Sequence, residues 1–286
     1  MEKSFKRKTK AKKLSYKSVK IRLIIFSALV AALLIVSIIA PLIEPNDPYA
    51  TSSANMRQGP GGQFPFGTDS LGRCVFSRVL AGAFTSIFSS IFLVGVSFAA
   101  GTIIGMFCGY YGGIVDTIIM RITDALLAFP QMVLAIAVAG VLGGNLTNAL
   151  IAIGITSWTL YARLARGQTY SMKNETFIAA LKLNGVSSMG IMFRHILPNI
   201  FRPLIATACT QIGTTMIYIS GLSFLGLGVI PPQAEWGSMI NEARGYFQLT
   251  PWAVIGPSIA MLITILIFNF FGDAVRDMTE VRGNGR

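Results

Sequence analysis

The sequence predicts an all-α integral membrane protein with six transmembrane helices and a two-helix elbow between helices four and five. Three observations predict it. Hydrophobic residues make up 53% of the 286 and charged ones 13%, too little polar surface to clothe a soluble globule of this size. Uncharged stretches long enough to cross a bilayer, roughly 20 residues each, recur along the chain. Polar or basic segments separate them.

The first apolar run goes from Leu23 to about Ile43 and ends at Pro41 and the polar "EPNDPYATSS". It is too long for a cleaved signal peptide, and Pro41 sits poorly at a cleavage site, so an uncleaved helix is predicted over 23–43. No charge occurs between Arg78 and Asp116, and a second helix is predicted over about 84–108. From Asp124 to Arg163 the chain is again uncharged, nearly twice what one helix needs. "LGGNLTN" at 142–148 supplies a turn, which predicts a hairpin of helices three and four. Helix five follows Pro198 and Pro203 and continues to about Leu225; helix six occupies about Trp252 to Phe271.

The net charge of +12 is local. Ten of the 24 Lys and Arg lie in the first 22 residues beside a single acid, Glu2, leaving 14 bases and 11 acids in the body. Such a tail suits the anionic face of a membrane better than a nucleic-acid groove. With the N-terminus cytoplasmic, that side carries the tail's ten bases, six from Arg163 to Arg202 and three from Arg276 onward, with Arg121 near its edge. The outer side carries only Arg57, Arg73, Arg78 and Arg244. This follows the positive-inside rule and predicts cytoplasmic termini and a cytoplasmic elbow.

The elbow is "ETFIAALKLNGVSSMGIMFRHILPN", residues 175–199. Phe177, Ile178, Ala180 and Leu181 give its first helix a short apolar side, Gly185 breaks it, and Ser187 or Ser188 can cap the next. Met189, Met192, Phe193 and Ile196 then recur at helical spacing, leaving Arg194 and His195 on other sides. Two readings fit: a loop whose apolar faces rest on lipid headgroups, or a knob that enters a partner's groove.

Other chemistry is sparse. No G-x-x-x-x-G-K-[ST] cradles phosphate, and neither H-E-x-x-H nor G-x-S-x-G occurs. His195 is the only histidine and makes a poor metal site alone. The twelve methionines are scattered and read as packing residues. Cys74, Cys108 and Cys209 lie far apart and support neither a disulfide framework nor a metal site. An ion-coupled secondary transporter is the rival class, but it ordinarily needs carboxylates near mid-bilayer, and the predicted spans have uncharged centres. Asp116, Arg121 and Asp124 cluster around the start of helix three, where Arg121 and Asp124, three apart, are expected to pair. Gly226 and Gly228, followed by Pro231 and Pro232, loosen the external end of helix five, either as plain helix termination, the preferred reading, or as part of a gate on the outer side.

The elbow resembles a variant of the EAA coupling loop of permease subunits of ATP-binding-cassette importers, aligned through "AALKLNG" and "HILPN". Further blocks resemble the dipeptide, oligopeptide and nickel branch, C-type subunit: "FGTDSLGRCVFSRVLAG" at 66–82, "YYGGIVDTIIMRITDALLAFP" at 110–130, "LSFLGLGVIPPQAEWGSMI" at 222–240 and "FNFFGDAVRD" at 268–277. Together they cover most of the chain after residue 65. The resemblance implies an ATPase-coupling loop built on Phe177, Ala179, Ala180, Leu181, Gly185, Arg194, His195 and Pro198. It also marks Gly67, Thr68, Asp69, Gly72, Arg73, Asp116, Arg121, Asp124, Gly226, Gly228, Trp236, Gly272 and Asp273 as motif positions.

The same resemblance implies a non-catalytic chain that binds no metal or cofactor of its own and forms half of a translocation pathway. Its implied partners are a second homologous permease subunit, two cytoplasmic nucleotide-binding subunits that use ATP-Mg, an extracytoplasmic solute-binding protein and membrane lipid. The implied location is the cell membrane of a prokaryote. The chain then divides into a basic cytoplasmic tail (1–22), a first transmembrane helix (23–43), an external segment (44–85), a permease core with five transmembrane helices (86–275) and a cytoplasmic tail (276–286). Some positions depart from the pattern. Ala179, Ala180 and Leu181 stand where Glu-Ala-Ala is usual, Cys74 replaces an aspartate, and "RDMTEVR" replaces "RDxxDPR". "FIAALKLNG", "AEWGSMINEAR" and "GNLTNALIAI" look closer to nickel-importer permeases than to dipeptide or oligopeptide ones.

Overall fold

The computed structural model describes residues 16–283; the rest of the basic tail (1–15) and residues 284–286 lie outside the described residues. Among the described residues the chain is helical, with no strand beyond an isolated bridge between Thr68 and Cys74. Helix α1 spans Tyr16–Ile43 and α2 Val75–Tyr111. A bent pair follows, α3 (Gly113–Leu127) and α4 (Gln131–Leu142), then α5 (Leu146–Met172). The elbow contains α6 (Thr176–Leu183) and α7 (Ser188–Gly190), and a π-helical turn over Ile191–Ile196 leads into α8 (Leu197–Phe224). A short α9 (Trp236–Ala243) precedes α10 (Pro251–Gly283).

Among the described residues three helices are both long and apolar enough to cross a membrane: α1 over Lys17–Ile43, α2, and α10 over Pro251–Thr279; the α3–α4 pair qualifies as one bent unit. Helices α5 and α8, with 27 and 28 residues, have the length but carry several hydroxyl side chains, and α5 also carries Arg163 and Arg166.

Two helices are longer than charge placement predicts. Helix α2 begins at Val75, not near 84, because Arg78 is buried in an ion network and therefore does not mark a solvent boundary. Its 37 residues rise roughly 55 Å, well beyond a hydrocarbon core of about 30 Å. Helix α10 continues past Phe271 through Asp273, Arg276 and Asp277; charges end an apolar run, and a helix tolerates them.

The predicted third helix is broken. Helices α3 and α4 meet at 90° around Phe129 and Pro130. Proline lacks the N–H that would continue the ladder and disfavours helical geometry in the residue before it.

Helices α2 and α5 share the largest interface. Gly101, Gly105 and Gly109, four apart on α2, lie directly on the α5 backbone. A β-carbon there would sit 2.3 Å from the Trp158 carbonyl oxygen, 2.1 Å from that of Ala162 and 2.5 Å from that of Arg166. Small residues at this spacing let membrane helices approach backbone to backbone. Helix α10 lies along α8, where Gly272 meets Thr210, and along α1, where Phe26 stacks on Phe270 at 5.4 Å. The bundle thus has an elbow end and an opposite cap end that holds α9.

Candidate functional site

At the elbow end, α6 stops in a Schellman motif. The Val186 N–H donates to the Leu181 carbonyl at 3.1 Å and the Gly185 N–H to that of Lys182 at 3.0 Å. Gly185 takes φ +76°, the left-handed region that an L side chain disfavours. Ser187 then caps α7, accepting from the Gly190 N–H at 3.2 Å. The π-helical turn that follows, over Ile191–Ile196, is a rare geometry that occurs frequently at functional sites.

The elbow has two faces. Ile178, Ile191, Met192 and Ile196 are fully buried against Met106 and Tyr110 of α2, Ala165 of α5, and Ile200 and Leu204 of α8, with Leu181 and Val186 packed at the edge. Each such large side chain is worth about 1.5–3 kcal/mol when fully buried, so the elbow is fixed to the bundle. Lys173 Nζ also donates to the Tyr110 carbonyl at 3.2 Å, and Lys182 lies over the Tyr110 ring.

The opposite face is open: Phe177 (43% exposed), Leu183 (90%), Met189 and Phe193 project outward. Ala179, Ala180, Gly185, Arg194 and Pro198 are exposed as well, and His195 is half-buried. The sequence-predicted elbow residues therefore divide, with Ile178 and Leu181 turning inward. Leu183 was missed because it lies off the predicted stripe.

Beside the elbow, Arg166 forks onto Asp116, Nε to Oδ1 at 2.5 Å and a terminal nitrogen to Oδ2 at 2.6 Å. Asp124 pairs with Arg163 at 2.6 Å. The expected Arg121–Asp124 pair is therefore corrected: α3 lies against α5, which presents Arg163 to Asp124, and Arg121 makes no ion pair among the described residues.

The cap end holds most of the other motif positions. Gly67 and Gly72 take φ +68° and +79°, and a β-carbon on Gly72 would lie 2.0 Å from the Ser52 carbonyl oxygen. Asp69 Oδ1 accepts from the Leu71 and Arg73 N–H groups, and its Oδ2 accepts from Arg73 Nε at 2.6 Å. Arg73 and Arg78 both reach Glu242 Oε2, at 2.7 and 3.1 Å. Arg78, 1% exposed, also donates to the Pro48 and Pro232 carbonyls. Thr68 is buried and accepts the Trp252 indole N–H on its carbonyl at 2.9 Å.

Glu235 caps α9. Its carboxylate accepts from the Gly237 and Ser238 N–H groups at 2.9 and 2.8 Å, from Ser220 Oγ of α8 at 2.8 Å and from Ser86 Oγ of α2 at 3.3 Å. Trp236 is buried, and its indole N–H donates to the Val79 carbonyl. Gly226, φ +79°, ends α8 as expected, and Gly228 packs under Ser223. Gly272 is buried and Asp273 exposed at the far end of α10. Sequence reasoning missed Glu235, which reaches Ser86 149 residues away, and Glu242, whose arginine partners lie 164 and 169 residues away; the only local signal was an acid placed to cap α9. Among the described residues no three His, Cys, Asp or Glu side chains form a metal-ligating group.

Residues 101–282 match the family model of the binding-protein-dependent transport system inner membrane component. The chain is 39% identical over 252 residues to the dipeptide transport system permease protein DppC of Alkalihalophilus pseudofirmus, covering 88% of this chain and 83% of that one. It is 44% identical over 257 residues to the glutathione transport system permease protein GsiD of Escherichia coli O6:K15:H31, covering 90% and 85%. The GsiD of Shigella sonnei gives the same figures. A helical chain that matches these proteins over about nine-tenths of its length shares their family: it belongs to the inner membrane components of binding-protein-dependent transport systems, as a non-catalytic ABC importer permease subunit of the dipeptide, oligopeptide and nickel branch.

Proposed function

We propose that this chain forms half of the translocation pathway of an ATP-driven importer of short peptides, and that the elbow couples it to cytoplasmic ATPase subunits. The cargo reading rests on relatives named for dipeptide and glutathione transport. It replaces the nickel assignment expected from the sequence blocks, because none of these names carries nickel.

The observation that carries the coupling reading is the two-faced elbow. Its open side offers Phe177, Leu183 and Met189 to a groove, while its closed side is fixed to α2, α5 and α8. An apolar knob of this kind suits helix-in-groove docking. The usual acidic contact is replaced by Ala179, so Phe177, Leu183 and the nearby Lys182 and Arg194 make the contact. ATP-Mg hydrolysis in the partner subunits supplies the force, and the elbow passes it into the bundle.

Six crossings are inferred, by α1, α2, the bent α3–α4 unit, α5, α8 and α10, with both termini and the elbow cytoplasmic. The segment 44–74 and α9 then face outward, where a solute-binding protein delivers cargo. A second, homologous permease subunit completes the pathway.

The test is uptake by the assembled complex in proteoliposomes, with binding protein and internal ATP. Labelled dipeptide should accumulate, and omission of either component should abolish it. Accumulation of a nickel chelate without any dipeptide uptake would overturn the cargo reading.

A further inference from the structure

The outward faces of α1 and α10 are aliphatic. Leu29, Ile35 and Ile38 of α1 and Ile259, Leu262 and Leu266 of α10 are all exposed, as suits side chains surrounded by lipid tails. Helix α8 differs. Thr207, Gln211, Thr214 and Tyr218, at i, i+4, i+7 and i+11, share one arc of the helix and are half-buried. Around the rest of its circumference Ala208, Gly213, Met216 and Ile219 are buried. Gln211, Thr214 and Tyr218 make no side-chain hydrogen bond among the described residues. The Thr207 hydroxyl donates to the Pro203 carbonyl of its own helix at 3.3 Å. Half-exposed or exposed hydroxyls on other long helices stand among apolar neighbours: Ser27 of α1 lies one turn from Ile24, and Thr85 and Ser89 of α2 lie one turn from Phe88 and Phe92.

Thr207, Gln211 and Thr214 occupy the middle third of the 28-residue helix, and the stripe from Thr207 to Tyr218 is about 16 Å long. In a helix that crosses the bilayer this is the hydrocarbon layer, where a polar group turned to lipid goes unsatisfied at considerable cost. The stripe therefore needs a polar occupant. Its groups are hydroxyls and one carboxamide, donors and acceptors without charge, and no Asp, Glu, Lys, Arg or His occurs from 203 to 234. Such a surface exchanges hydrogen bonds with peptide N–H and C=O groups. It has no fixed charge to trap what it holds, and a pathway must release as well as bind. Length agrees, since an extended tripeptide spans roughly 10 Å. Close helix contact in this chain is made through Gly101, Gly105 and Gly109; Gln211 and Tyr218 hold a neighbouring backbone away.

We propose that the Thr207, Gln211, Thr214 and Tyr218 face of α8 lines the translocation pathway and carries the cargo by hydrogen bonds to its peptide-bond groups. Helix α8 leaves the elbow directly through the π-helical turn over Ile191–Ile196, so displacement of the elbow moves the stripe with it. The proposal rests on the peptide-importer reading above.

Thiol labelling and uptake in the assembled complex test it, with Cys74, Cys108 and Cys209 replaced by alanine. A small charged methanethiosulfonate, which reacts with thiols that meet water, should modify Gln211→Cys and Thr214→Cys at least tenfold faster than Leu262→Cys on the aliphatic face of α10. Labelling of all three at the same slow rate overturns the proposal, because the stripe then faces lipid or protein. The double variant Gln211→Leu with Thr214→Val removes the hydrogen-bonding groups. Dipeptide uptake per ATP hydrolysed should fall at least fivefold in it, with the second permease subunit still copurifying. An unchanged ratio overturns the proposal, and so does loss of the second subunit, which would mark the stripe as a contact between subunits. Absence of ATP-driven dipeptide uptake by the complex before any stripe substitution would instead count against the peptide-importer reading, and the labelling rates would still decide whether the stripe meets water.

Discussion

Arg166 and Asp116, fifty residues apart in sequence, meet in a two-pronged ion pair that fastens the start of α3 to α5 beside the elbow. Bidentate pairs of this type are among the stronger polar contacts, though the half-exposed Arg166 side chain is partly screened by solvent. Asp116→Asn should lower the melting temperature of the purified chain by about 2–4 °C. Arg166→Gln should do the same, and the double variant should be no worse than either single one, as expected for residues that act through each other.

Gly105→Ala should be severely destabilising. Its new methyl would lie 2.1 Å from the Ala162 carbonyl oxygen and force α2 and α5 apart, a backbone displacement costing roughly 1–3 kcal/mol or more. Gly167→Ala, on an open face of α5 with nothing within 4 Å, is the matched control and should be neutral or slightly stabilising. Yield of monodisperse protein in detergent and its thermal melt check both.

The cap depends on Glu242, which neutralises two buried arginines. Glu242→Ala leaves Arg73 and Arg78 sharing Asp69, and breaking a buried charge network of this kind costs about 3–5 kcal/mol. Protease sensitivity of the segment 44–74 should rise in this variant, while that of the elbow stays unchanged.

Glu44 stands at the end of α1 with Oε2 buried and unpartnered. Burial, and then the charge of Asp47, hold its carboxyl above the ordinary range. Ionisation is therefore more costly in the folded state. The group's contribution is most favourable below its ordinary range and declines as pH rises through the raised value. Glu44→Gln should stabilise the protein slightly above that window and leave it unchanged below, as read by melting temperature against pH.

How much of this was legible in the sequence depends on whether the cause was local. Apolar runs announced α1 and α10, the Gly185 break announced the elbow, and Gly226 announced the end of α8. Pro130 was visible too, but in an uncharged stretch the turn at 142–148 accounted for the whole length, so the 90° bend went unseen. Asp124 had two candidate cations, and only the packing of α3 on α5 selects Arg163 over the sequence neighbour Arg121. The glycine spacing on α2 was present without a sign of which helix it faced. Arg78 bounds the predicted second helix because hydropathy does not reveal that Glu242 neutralises it inside the fold, where α2 already begins at Val75.

Gly185 tests the elbow's shape. Its φ of +76° makes Gly185→Val strained by about 1–2 kcal/mol. The variant should assemble with its partners yet lose most peptide uptake per ATP hydrolysed, measured as the ratio of the two rates in proteoliposomes.

The most direct measurement of the central claim is site-specific photocross-linking from the open face of the elbow. A photoreactive residue at Phe177 or Leu183 should capture a copurifying ATPase subunit in a nucleotide-dependent way, whereas one at Ile178 should capture only this chain. Capture of lipid alone from Phe177 and Leu183, in a complex that still hydrolyses ATP and imports its cargo, would contradict the account.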